Sequence, residues 1–85
     1  MTFDGAVIRE QGVTFAIAVV RHGVIESPAQ RDQSVAYFQT FFGGIPVVLM
    51  EQNPQGTPTW YGRLDLTRAL QNVPVGAIPW KRYTV

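Results

Sequence analysis

Apolar residues in this chain fall into short runs divided by turn-forming residues. The densest run is Val13-Thr14-Phe15-Ala16-Ile17-Ala18-Val19-Val20, eight residues with Thr14 as the one polar member. It is rich in β-branched and aromatic side chains. Such a run fits a strand buried on both faces and is too short to cross a bilayer. Residues 5–10 (GAVIRE) form a second strand candidate ahead of it. Gln11-Gly12 lies between the two. An X-Gly pair in that position predicts a tight hairpin, because glycine accepts the positive φ of the turn. The two strands should therefore be antiparallel.

The period then changes. Ser27-Pro28-Ala29-Gln30 combines a favoured N-cap, a proline at the first helical position and a glutamine three residues after the serine. The spacing predicts a helix over 28–42. Its apolar stripe is Val35, Phe38, Phe41 and Phe42, and Arg31, Asp32, Gln33 and Gln39 should face water. Gly43-Gly44 ends it as a C-cap rather than as a phosphate-cradling loop, since it follows a helix and carries no lysine.

Residues 45–50 (IPVVLM) predict a second buried strand, with Pro46 suited to its start. A helical crossover should make it parallel to the first buried run, with a right-handed connection. Asn53-Pro54-Gln55-Gly56 is a turn. Residues 57–61 return as an antiparallel strand that Pro58 marks as an edge. Asp65 is the expected N-cap of a short second helix whose inner face is Leu66, Ala69, Leu70 and Val73. Residues 78–85 read as a last strand, on the same rim as Arg63 if it runs parallel to the fourth. The expected fold is one α+β domain over residues 1–85. Its order is ββαββαβ, a mixed sheet of four or five strands with two helices packed on one face.

Composition narrows the chemistry. With 85 residues, a monomer buries only roughly 60–65% of its unfolded surface and is marginally stable. No cysteine is present, which excludes disulfides, thiolate metal sites and a cysteine nucleophile. A single histidine excludes a poly-histidine metal site within the chain, and no cofactor is expected. The start, Met1-Thr2-Phe3-Asp4, lacks a basic segment followed by an apolar one, so a cytoplasmic location is expected. Seven basic and six acidic residues give a net charge of +1, which argues against nucleic acid as a dedicated partner.

Three function classes follow. The first is a non-catalytic interaction module acting as a homodimer. Trp60, Trp80 and Tyr83 would be its interface residues, since edge strands with aromatic side chains invite pairing. The second is a small-molecule or anion-binding domain using Tyr61, Arg63 and Arg82, with Arg63 just ahead of a helix N-terminus. In the competing reading Asp65 caps that helix itself, Arg63 pairs with it or with a neighbouring loop carboxylate, and Trp60 packs in the core. The third is an enzyme using His22 with Glu26 or Glu51, which would share the rim at the ends of the two parallel strands. A lone histidine between Arg21 and Gly23 is more often a solvated loop residue.

Overall fold

The computed structural model describes residues Met1–Val85. Strands β1 (Thr2–Glu10) and β2 (Val13–Val19) form the expected hairpin. Gln11 and Gly12 both take positive φ, 52° and 79°, the mirror-image turn whose twist matches its strands. Helix α1 (Pro28–Phe41) starts where the capping pattern put it, and the Ser27 hydroxyl accepts from the Gln30 N–H. At its end the Gly43 N–H donates to the Thr40 carbonyl and the Gly44 N–H to the Gln39 carbonyl. This double closure requires a left-handed residue, and Gly43 supplies it at φ 77°.

Strand β3 (Val47–Gln52) is parallel to β2, with Ile17 beside Val48 and Ala18 beside Leu49. Strand β4 (Pro58–Tyr61) returns antiparallel, α2 spans Leu64–Leu70, and β5 is Lys81–Thr84. A short 3-10 turn, Val75–Ala77, precedes the tail, and residues 78–80 of the expected last strand lie outside β5. The five strands lie in the order β4-β3-β2-β1-β5, and β5 is antiparallel to β1.

The helices lie on opposite faces of this sheet, not on one. Phe15, Ile17, Val48 and Met50 pack with Leu66 and Leu70 of α2. Ala16, Ala18, Val47 and Leu49 pack with Phe38 of α1 and with Phe3. The reason is topological. β4 and β5 are opposite edges, so the chain between them crosses the whole sheet, about 19 Å at the usual strand spacing. The right-handed β2–α1–β3 crossover already fills the other face. Burial says the same: Phe15, Ala16, Ile17 and Ala18 are all fully buried. A strand sealed on both sides needs a layer on each. The β2 alternation suits the partners, with large Phe15 and Ile17 toward the leucines of α2 and small Ala16 and Ala18 toward the phenylalanines.

Two local expectations are also corrected. Arg63, not Asp65, occupies the N-cap position of α2, because the helix begins at Leu64 and places Asp65 inside its first turn. Arg31 does not face open water. It lies over the Tyr61 ring at 4.6 Å and donates to the Ile25 carbonyl.

Candidate functional site

Parallel pairing of β2 and β3 puts their carboxyl ends side by side, with Val19 beside Met50. The residues just beyond, His22 and Glu51, therefore meet. Glu51 is the one buried charged residue of the chain. Its carboxylate accepts from the Gly23 N–H at 2.9 Å and from the Ile25 N–H at 3.3 Å, and its Oε1 lies 2.9 Å from His22 Nδ1. A buried carboxylate is tolerated only when such donors replace its water. Glu51 thus ties the turn after β2 to β3. It also stands against the ring of His22. The His22 side chain is 70% exposed. Glu26 lies on the same rim, exposed, and joins neither residue.

His22 also borders the largest hollow of the molecule, about 640 Å³. It opens because α1 packs chiefly against β3, leaving the amino end of β1 and the carboxyl end of β2 partly uncovered. Phe3, Val20 and Phe38 supply an apolar floor. Gln30, Gln33, Ser34 and Tyr37 line one wall at helical spacing, and Arg21 stands with His22 at the end of β2. Sequence reasoning missed this wall. Its signal was the 30-33-34-37 spacing, which lays a polar stripe beside the apolar one on α1.

The second set of candidates is only partly brought together. Tyr61 and Arg63 share a smaller hollow of about 470 Å³. Arg82 lies at the opposite edge, where Nε donates to Asp4 Oδ1 at 2.6 Å. The last strand runs antiparallel to β1, hence opposite in direction to β4, and this keeps Arg82 off the Arg63 rim. Arg63 is itself engaged, with Nε and Nη2 both on the Asp65 carboxylate. That contact is the main cause holding the Asp65 carboxyl below its usual range. Tyr61 donates to Asp32 Oδ1 at 3.4 Å and carries Arg31 on its ring.

The aromatic candidates separate as well. Trp60 and Trp80 are half-buried against the α2-side core, and Trp80 Nε1 donates to the Val75 carbonyl at 2.9 Å. Tyr83 sits at the β5 edge, stacked on Phe3 at 5.2 Å with Phe41 and Phe42 edge-on to it. Phe41 belongs to the expected inner stripe yet remains 38% exposed, because α1 overhangs the sheet edge there. Tyr37, Met1 and Val85 are exposed apolar residues too. No helix is long and apolar enough to cross a membrane. Comparison with known proteins finds no matching family model, no matching curated protein and no matching solved structure.

Proposed function

We propose that the chain is a binding module that pairs with a second copy of itself through β5. The observation that carries this reading is an edge strand with aromatic cover. β5 hydrogen-bonds to β1 alone, so its outer N–H and C=O groups are open to another strand. Beside it stand Tyr83 and the exposed Phe41. The other edge suits pairing less, since β4, no longer than β5, begins with Pro58, which has no N–H to donate.

Antiparallel pairing of two β5 strands is two-fold symmetric, as a closed dimer requires. A register centred on Tyr83 sets Arg82 opposite Thr84 and Lys81 opposite Val85 of the second copy, so no like charges face each other. One centred on Arg82 would oppose two guanidinium groups and is disfavoured. The Tyr83 register also joins the two aromatic clusters across the symmetry axis, and small domains gain stability in this way.

Sedimentation equilibrium tests the reading. A dimer mass is expected for the native chain. Tyr83→Lys puts two like charges at the centre of the pair, and Phe41→Lys charges the patch from the helix side. Both should shift the protein toward monomer with the far-UV spectrum unchanged. A native chain that stays monomeric across the concentration range refutes the reading.

A further inference from the structure

We infer that the groove between α1 and the exposed ends of β1 and β2 binds a small organic carboxylate, with Arg21 as its charge partner and the apolar floor holding its body. Three observations support this. The first is size and lining. A hollow of about 640 Å³ with an apolar floor and a few polar groups on one wall has the dimensions of a small-molecule site.

The second is charge. Arg21 and His22 line the groove, and no Asp or Glu does. Glu51, which touches the lining residue His22, is buried and occupied by the Gly23 and Ile25 N–H groups. The third is availability. Arg63 is neutralised by Asp65 and Arg82 by Asp4, whereas Arg21 forms no ion pair and no side-chain hydrogen bond. A guanidinium without a partner at the mouth of an apolar hollow suits a carboxylate, which it can hold through two parallel N–H donors.

The inference goes beyond self-association; the two readings share Phe3, which lines the groove and stacks on Tyr83, but not Arg21. Arg21 follows β2, which β1 separates from β5, so charging the β5 edge leaves Arg21 in place. Sodium benzoate and indole-3-acetate are the probes, with inorganic phosphate as the anion lacking an apolar body. Amide chemical shifts are followed in titrations of the native chain, Arg21→Gln and Arg63→Gln. Saturable shifts are expected from both carboxylates at residues 20–24 and 30–38. Arg21→Gln should weaken them at least fivefold, and Arg63→Gln should leave them unchanged. The inference is overturned by shifts that do not saturate, by equal affinity in Arg21→Gln, or by phosphate binding as tightly as benzoate.

Discussion

Replacing Glu51 with alanine tests the central tie of the upper rim. The change removes the acceptor of two backbone donors and the carboxylate beside His22, and leaves the Gly23 and Ile25 N–H groups facing a vacated space. A hydrogen bond to a charged group contributes about 1.5–3 kcal/mol. The two backbone bonds do not add to the full sum, for reasons visible in the geometry. The Gly23 bond is part-buried, so water reaches its N–H once the carboxylate is gone. The Ile25 N–H stays dry, but its bond is the longer one at 3.3 Å. His22 loses little, since a contact on an exposed side chain is worth about 0–1 kcal/mol. The expected loss is therefore about 2–4 kcal/mol, and about 3 kcal/mol lowers the melting temperature of a domain this size by roughly 12–24 °C. Glu51→Gln keeps the shape but offers one acceptor oxygen, so it should fall between alanine and the native chain. Thermal and urea unfolding measure the loss, and amide exchange locates it at Gly23 and Ile25. His22→Ala is the internal control and should stay within about 1 kcal/mol. A Glu51→Ala protein melting within about 2 °C of the native chain would refute the reasoning.

Gly5→Ala should destabilise by about 1–3 kcal/mol in urea unfolding, because its Cβ would stand 2.7 Å from the Ile17 carbonyl oxygen and press on the Phe3–Tyr83 stack. Ser27→Ala should cost about 1 kcal/mol through the lost cap at the start of α1, read from the same unfolding curves. Arg63→Gln should move the Asp65 titration, followed by NMR, upward toward the ordinary carboxylate range, since the Arg63 hydrogen bond is the chief cause of its depression. A carboxyl depressed in the folded state contributes its stability above its unfolded pKa and loses it as pH falls through the folded pKa. With Asp65 in contact with water, the variant and native chains should differ little in stability even at neutral pH.

Local signals carried most of the architecture. Gln11-Gly12 encodes a turn in its own dihedral preferences, and Ser27-Pro28-Ala29-Gln30 encodes a helix start in its own hydrogen bonds. Such elements depend on neighbours within a few residues, so they are legible without a fold. The β2 run was equally legible as a strand buried on both faces, and that property already required a layer on each side. What it did not name was the element that would supply the second layer.

The site was less legible. His22 and Glu51 were candidates for one rim, but their contact depends on the parallel β2–β3 register, which pairs residues 31 apart in the chain, such as Val19 and Met50. Arg63 and Arg82 look alike in sequence, and only strand order separates them by the width of the sheet. The wall of the groove depends on how far α1 leans toward β3, a packing compromise among Phe38, Val47 and Leu49. The sequence by itself determined the kind and order of the strands and helices and which run is central, but not every boundary: β1 begins at Thr2, α2 at Leu64 and β5 at Lys81. The tertiary structure decided which face each helix covers, which arginines are neutralised and which strands form the edges. The division is physical: turns and caps are set by short-range dihedral and hydrogen-bond preferences, whereas pairing order and ion pairs depend on distances that arise only when remote segments pack.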